Sequence, residues 1–193
     1  MLVRGMPPKT RYTREAVLDA ALEVVRNQGL RGVSARTVAR TLGASTAPVL
    51  ATFESMQALT DAVVAALIEE LLAAIDSTEA SDPMRAAAFA MARFTADHPH
   101  YYEALFLHAH PSPPDWVAIR SGFSGPLGAS DRFRHLGRRQ RDALAWRASV
   151  VAHGICIEIW SGRWTQTSDR AIWRLVDQLI EPIIGLFLAE RSS

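Results

Sequence analysis

The sequence has a single cysteine, Cys156, and no long uninterrupted hydrophobic run. One cysteine cannot form an internal disulfide, and the N-terminal residues lack the basic, apolar and small-residue order of a signal peptide. The longest apolar stretch, residues 62–75, is interrupted by Glu69 and Glu70 and is shorter than the ~20 apolar residues that span a bilayer. These absences predict a cytoplasmic protein without a membrane-spanning segment.

The sequence also lacks the common catalytic and metal-binding patterns. It contains no glycine-rich phosphate loop, no nucleophile elbow and no paired carboxylates, so we expect neither an enzyme nor a cofactor. Four of the six histidines form the pairs His98-x-His100 and His108-x-His110. Residues two apart on a helix point about 200° apart, so neither pair chelates an ion on helical backbone and no metal site is expected.

The net charge of +1 at pH 7 is unevenly distributed along the 193 residues. Residues 1–53 carry eight basic and three acidic side chains, a net charge of +5, whereas the remainder carries 13 and 17, a net charge of −4. A positive N-terminal segment is typical of a small module that contacts an anion. The chain is long enough for such a module joined to a larger domain.

The remaining pattern is helical, without strand-like alternation or internal repeats. Apolar residues recur at three- and four-residue steps over residues 13–28 and 35–42, which predicts two amphipathic helices. Gly29 is expected to end the first helix in a left-handed conformation, and Gly43 to end the second. Ser34 is expected to cap the second helix by accepting a hydrogen bond from a free amide.

Longer helices are predicted in the rest of the chain. Periodicity and capping residues place them at about 56–75, 83–97, 142–161 and 168–190. Residues 110–137 are rich in proline and glycine, which predicts a loop with at most short helices at residues 116–123 and 130–135. The predicted fold class is all-α.

The two amphipathic helices and a third short helix, residues 46–53, predict a helix-turn-helix arrangement with the third as recognition helix. Pro48 lies in its first turn, where no intrahelical donor is lost. Small polar residues such as Ser45 and Thr46 leave amides and hydroxyls free to approach phosphates. Because helix pairs joined by glycine are common in helical proteins, this pattern alone leaves DNA binding and ordinary packing open as alternatives.

The segment "TREAVLDAALEVVRNQGLRGVSARTVARTLGASTAPVLATFESMQALTDAVV", residues 13–64, resembles the N-terminal domain of the tetracycline-repressor (TetR) family of transcriptional regulators. The matching features are residues 16–22, Gly29, Val33, Ser34, Val38, Ala39, Leu42, Gly43, Ser45, Phe53, Ser55 and Leu59. The resemblance implies a three-helix DNA-binding head, residues 1–55, and a helical body, residues 56–193, that dimerises and holds a small-molecule effector. We expect roughly the first 11 residues to be flexible.

The body resembles one branch of the same family. The segments "FTADHPHYYEALF", residues 94–106, and "AWRASVVAHGICIEIWSG", residues 145–162, are similar to a pattern in which Trp is followed by His-Gly in the penultimate helix. Repression is the usual mode of the family. The resemblance therefore implies a repressor whose partners are an operator in double-stranded DNA and a small-molecule effector.

The predicted recognition helix departs from the family pattern at several positions. Leu50 stands where members often carry Tyr, and Met56 stands where Lys is frequent. These replacements remove phosphate donors, which support affinity through counterion release. Arg36 remains a candidate phosphate ligand, although a solvated arginine is the alternative. The residues expected to contact DNA are Arg11, Arg14, Ser34, Arg36, Ser45, Thr46, Ala47, Pro48, Leu50, Ala51 and Thr52.

Aromatic residues in the body predict an apolar cavity with a few polar groups. The residues expected to line it and bind the effector are Phe89, Phe94, Tyr102, Phe106, Trp116, Trp146, His153 and Trp160. Core packing is the alternative explanation for each aromatic side chain. Trp146 and His153 are seven residues apart and therefore share a helix face, so this pair is the preferred wall of the cavity.

Dimerisation is expected because a helix-turn-helix reads one short half-site and two-fold pairing doubles the contact. The last two helices carry apolar residues around more of their circumference than one core needs, which predicts a four-helix bundle with the partner. Gly154 is expected to allow close approach, and Pro182 to bend the final helix or release one carbonyl.

Three functions remain open from the sequence. The first is a dimeric transcriptional regulator that responds to an effector. The second is a helical protein that acts by protein contact, with a weakened DNA-binding head, which Leu50 and Met56 favour. The third is a small-molecule enzyme or metal-binding protein, which only the histidines favour.

Overall fold

The computed structural model describes residues 12–80, 82–111, 113–114, 116 and 126–190. All regular secondary structure in these ranges is helical, which confirms the predicted all-α fold class. Arg11, the expected flexibility of the first residues and most of the predicted helix at 116–123 lie outside the described residues.

The first unit contains three complete helices: α1 (Arg14–Gln28), α2 (Ala35–Leu42) and α3 (Thr46–Thr52). They contact one another pairwise through buried side chains, namely Val17, Ala21, Val24, Val25, Val38, Val49 and Phe53. Gly43 ends α2 in the left-handed conformation, with φ 68° and ψ 31°. Gly29 ends α1 with φ 73° but ψ 174°, outside the left-handed helical region, and a short 3₁₀ turn, Leu30–Gly32, follows it.

Helix α4 (Met56–Asp76) is capped by Ser55, whose hydroxyl accepts a hydrogen bond from the Ala58 amide at 3.0 Å. The first compact unit extends to Val64 and the second begins at Ala65, so both ends lie within α4. The sequence-based domain boundary, residue 55, lies at the cap of this helix. Capping marks where a helix begins, whereas packing decides where a compact unit ends.

The second unit contains α5 (Pro83–Asp97), α6 (Pro99–Tyr102), α7 (Arg138–Trp160) and α8 (Asp169–Ala189). Helix α5 packs against both α7 and α8, which also pack against each other. Asp82 caps α5 by accepting a hydrogen bond from the Arg85 amide at 2.9 Å. Pro182 lies inside α8 without ending it, since the helix continues to Ala189.

Helix α6 continues directly into a π-helical turn, Glu103–Leu107, and neither element was expected from the sequence. Proline is favoured at the first position of a helix, so Pro99 is a local sequence signal for the start of α6. A π-helical turn has no comparable signal because it depends on packing around the segment. Tyr101, Tyr102 and Leu105 are buried here.

The proline- and glycine-rich segment is only partly described. Residues 126–129 are helical, whereas 131–135 form turns in place of the short helix predicted at 130–135. Phe133 and Arg134 both donate to the carbonyl of Ser130, so no helical ladder of successive hydrogen bonds develops.

Ion pairs attach this segment to the helices of the second unit. Arg132 donates to the buried carboxylate of Asp82 at 2.9 Å and to Glu181 of α8 at 2.9 Å. These hydrogen bonds from Arg132 lower the pKa of Glu181. Arg85 of α5 pairs in addition with Asp177 of α8. These ion pairs thus connect the start of α5, the turn at 131–135 and α8.

Candidate nucleic-acid interface and ligand cavity

Helix α3 exposes one face and buries the other. Val49 and the following Phe53 are buried in the core of the first unit, which fixes the orientation of the helix. Ser45, Thr46, Ala47 and Ala51 are exposed, and Leu50 is 55% exposed. The exposed face is therefore made of small polar and apolar side chains, without a basic residue in α3.

The two serines that precede α2 and α3 differ in what their hydroxyls do. Ser34 forms a capping box with Thr37: its Oγ accepts from the Thr37 amide at 3.2 Å, and its amide donates to Thr37 Oγ1 at 2.9 Å. Ser45 occupies the N-cap position of α3, but its side chain makes no capping hydrogen bond. The Ser45 hydroxyl is therefore available to another group, whereas that of Ser34 is engaged within the protein.

Two further predicted DNA-contacting residues make hydrogen bonds or packing contacts inside the head. Thr52 Oγ1 donates to the carbonyl of Pro48 at 2.7 Å, so its hydroxyl hydrogen is used within α3. The guanidinium of Arg14 lies 4.0 Å from the ring centre of Phe53, which joins the start of α1 to the end of α3. Stacking on a ring leaves the N–H edges of a guanidinium free to bind an anion.

Arg36 is exposed in the first turn of α2 and forms no ion pair with any described residue. The predicted DNA-contacting residues that the structure describes lie on the surface of the first unit in eight cases: Arg14, Ser34, Arg36, Ser45, Thr46, Ala47, Leu50 and Ala51. Pro48 and Thr52 are half-buried.

The second unit contains a cavity of about 770 Å³. Its walls come from α4, α5, α6 with the π-helical turn, the segment that follows it, and α7. The lining residues are Ile68, Leu71, Leu72, Pro83, Met84, Ala87, Ala88, Met91, Tyr102, Leu105, Phe106, Leu107, His108, Ala109, His110, Pro113, Trp116, Ala145, Ala148, Ser149, Ala152, His153 and Ile157. Most of these side chains are apolar, and the volume lies in the range of pockets that bind drug-sized molecules.

The structure brings four of the eight predicted effector residues to this cavity: Tyr102, Phe106, Trp116 and His153. Phe89 instead stacks on Trp173 with ring centres 4.1 Å apart. Phe89 and Phe94 line a separate cavity of about 260 Å³ between α4 and α5. These two aromatic residues therefore lie on the side of α5 that faces away from the larger cavity.

Trp146 and Trp160 do not line the cavity, so Trp146 and His153 do not form a common wall. Both indoles are on the surface, with 55% and 39% of their area exposed. Three alanines, Ala145, Ala148 and Ala152, line the cavity on α7 together with Ser149, His153 and Ile157. The small alanine side chains leave the space that a tryptophan would fill. The seven-residue spacing predicted that Trp146 and His153 share one face of the helix. It did not predict which neighbouring helices cover that face at each of the two residues.

The principal polar group in the cavity is a tyrosine–histidine pair. The hydroxyl of Tyr102 lies 3.3 Å from Nδ1 of His153. Burial lowers the pKa of the His153 imidazole, so its neutral form is favoured. Burial also raises the pKa of Tyr102, with a smaller contribution from Cys156. The edge of Phe106 packs against the imidazole, with ring centres 4.6 Å apart at 71°.

His108 and His110 also line the cavity, whereas their spacing in the sequence raised only the question of a metal site. Nε2 of His108 is buried without a hydrogen-bond partner and lies 3.4 Å from a carboxylate oxygen of Glu103. His110 Nε2 lies 3.3 Å from the carbonyl of Leu105. No sequence signal identifies these residues as cavity lining, because their placement depends on the π-helical turn.

No group of three or more His, Cys, Asp or Glu side chains is arranged to hold a metal ion in the described part of the chain. None of the helices in that part is both long enough and apolar enough to cross a membrane.

Comparison with known proteins relates this architecture to regulators of transcription. No protein-family model matches the chain, and no curated protein sequence is significantly similar to it. A transcriptional regulator from Rhodococcus sp. has 21% identical residues and a TM-score of 0.64, over 93% of this chain and 97% of that chain. A TetR regulator from Streptomyces coelicolor has 16% identical residues and a TM-score of 0.60, over 92% and 95% of the two chains.

A TetR-like transcriptional regulator from Rhodococcus sp. is 16% identical with a TM-score of 0.56, and the similarity covers 96% of this chain and 99% of that one. These similarities extend over the head and the body together. The chain therefore has the fold of TetR-like transcriptional regulators, with a helix-turn-helix head and a helical body.

Proposed function

We propose that this protein is a dimeric, cytoplasmic transcriptional regulator that binds operator DNA through α3 and responds to a small molecule in the cavity of its second unit. The observation that carries this proposal is the helix-turn-helix head with an outward α3 face, within a fold shared with TetR-like regulators. Repression is the mode we propose, and the pattern of Trp146 followed by His153-Gly154 supports a position in the corresponding branch of the family.

DNA contact by the head combines phosphate binding and base contact. Arg36 supplies an exposed positive charge beside α3, and the Arg14 guanidinium is held in place by Phe53. Thr46 and the free hydroxyl of Ser45 offer hydrogen bonds at the start of α3. Leu50 offers apolar contact with thymine methyl groups in the major groove.

The exposed apolar faces of α7 and α8 support dimerisation. Trp146, Val150 and Trp160 of α7 and Leu179 and Leu186 of α8 are all exposed in the single chain. Exposed apolar surface that collects on two adjacent helices is typical of an association site. Beyond the adjacent residues and backbone of α7 itself, a Cβ atom at Gly154 would meet no described atom within 4 Å, so contacts with the other described helices do not require the glycine. This supports the close approach of a partner helix there.

A second candidate function is regulation by protein contact with a weakened DNA-binding head. The exposure of Leu50 and the absence of basic residues in α3 favour it. An exposed leucine can make an apolar contact with a protein partner as readily as with a thymine methyl group. The two candidates differ in whether binding to DNA is specific and salt-dependent.

The deciding experiment measures binding of the full chain to the duplex that flanks its own gene and to an unrelated duplex, at several salt concentrations. The proposed function predicts tighter binding to the flanking duplex, with an affinity that falls as salt rises because phosphate contacts release counterions. Failure to bind either duplex at low salt would contradict it and favour the second candidate.

A further inference from the structure

We propose that the large cavity binds an uncharged, mainly apolar molecule with one hydrogen-bonding oxygen, and that this oxygen contacts the Tyr102–His153 pair. The inference rests on the proposed effector site and deepens it by assigning the chemical class of the ligand. Three properties of the cavity carry it: its apolar walls, the absence of formal charge among its described lining residues, and the geometry of the pair.

The walls match an extended hydrocarbon or ring skeleton. Ile68 and Leu71 of α4 and Met84 and Met91 of α5 lie on one side, with the alanines of α7 on another. Unbranched methionine side chains adjust to irregular ligand shapes. A ligand of drug size can therefore bury most of its apolar surface here.

None of the described lining residues is an aspartate, glutamate, lysine or arginine. An ion that enters such surroundings loses its hydration without gaining a counter-charge, which weakens its binding. Of the histidines in the wall, His108 already faces the Glu103 carboxylate, and His110 is bound to the carbonyl of Leu105. Burial keeps the pKa of His153 low, so it does not supply a positive charge. The cavity therefore discriminates against both anions and cations.

The pair provides a single directed hydrogen bond. A neutral imidazole has one N–H. The Tyr102 hydroxyl lies 3.3 Å from Nδ1 and 3.5 Å from the carbonyl of His153, and donation along the shorter contact, to Nδ1, leaves the imidazole hydrogen on Nε2. Nε2 of His153 has no hydrogen-bond partner among the described residues. A ketone, ether or hydroxyl oxygen on the ligand satisfies this donor. The rings of Phe106 and His153 pack at a steep angle, and this contact restrains the direction of the donor.

Calorimetric titration of the full chain with decan-2-one, decanoate and decylammonium tests the class, because the three probes share an alkyl chain and differ in charge. We expect the ketone to bind at least about 100-fold more tightly than either ion, given the cost of an unpaired buried charge. Comparable affinity for one of the ions, or no binding of the ketone up to its solubility limit, would overturn the proposal.

Variants test the hydrogen bond separately from packing. Tyr102→Phe removes the hydroxyl that keeps the hydrogen on His153 Nε2, so it is expected to lower the affinity for decan-2-one by about 3- to 10-fold and to leave that for butylbenzene unchanged. Tyr101→Phe is the matched control, since Tyr101 lies in the same helix but does not line the cavity. Equal losses for the ketone and the hydrocarbon would show that Tyr102 only packs, and would refute its assigned role.

Duplex binding measured in the same titrations separates this inference from the proposed function. Selective ketone binding that leaves DNA affinity unchanged would support the ligand class and contradict effector regulation. Selective ketone binding with a change in DNA affinity supports both. Tight binding of an ion with a change in DNA affinity would overturn the ligand class alone.

Discussion

Among single residues, His153 connects the ligand cavity to the pH dependence of stability. Its pKa is lowered because burial removes hydration from the charged imidazole. Over a range of pH the unfolded chain therefore binds a proton that the folded protein does not. The contribution to stability is fully present above the ordinary histidine pKa of about 6.5, and it is lost as the pH falls toward the lowered folded value.

We expect His153→Gln to reduce the loss of stability between about pH 7.5 and pH 5.5, because it removes a group that protonates mainly in the unfolded chain. Urea unfolding of both proteins at each pH measures the effect. Tyr102, which faces His153, has a pKa raised by burial and does not titrate in this range. His135→Gln, at an exposed histidine, is the control. An unchanged pH dependence in His153→Gln would contradict the assignment.

Two exposed residues of the head are expected to affect DNA binding differently. Arg36→Ala should weaken binding uniformly across duplexes and reduce the salt slope by about 1, because it removes one phosphate contact. Thr46→Ala should instead change which bases are preferred. Arg170→Ala, at an exposed arginine of α8, controls for the loss of charge alone. Equal effects of the two head variants on every duplex would contradict these roles.

At the scale of helices, local sequence predicted most of the boundaries. Thr13, Ser34, Ser55, Asp82 and Ser168 each accept a hydrogen bond from an amide in the first turn of the helix that follows. These contacts span three residues, so they are visible in the sequence. The π-helical turn at Glu103–Leu107 and the turns at 131–135 were missed because contacts distant in sequence determine them.

The two serine caps of the head provide a matched test at this scale. Ser34→Ala should destabilise the protein by about 1 kcal/mol, since the capping box is lost. Ser45→Ala should change stability by much less, because its hydroxyl makes no capping hydrogen bond. Thermal unfolding of the two variants gives the comparison. A loss in Ser45→Ala as large as that in Ser34→Ala would show that the Ser45 side chain caps α3 after all.

For the whole molecule, the exposed apolar faces of α7 and α8 are the proposed dimer interface. Leu186, which is 64% exposed, and Trp146 should lie in the proposed dimer interface. Leu186→Glu or Trp146→Glu should raise the dissociation constant of the dimer at least about 100-fold, because a charge would be buried without a partner. Sedimentation analysis measures this.

Ala80→Glu, at an exposed position outside α7 and α8, is the control for the dimer prediction and should leave association unchanged. A dimer of unaltered stability in both interface variants would place the interface elsewhere. Loss of ligand binding in Trp146→Glu with the dimer intact would instead restore the sequence-based prediction that Trp146 serves the cavity.

The sequence by itself determined the all-helical class, the helix-turn-helix order and most helix starts, because caps, glycine turns and apolar periodicity act over a few residues. Only the tertiary structure decided which aromatic side chains line the cavity. It assigned Tyr102, Phe106, Trp116 and His153 to the wall and left Trp146 and Trp160 on the surface. The spacing of residues within a helix determines which of them share a face. Which side chains cover that face depends on helices that are distant in the chain.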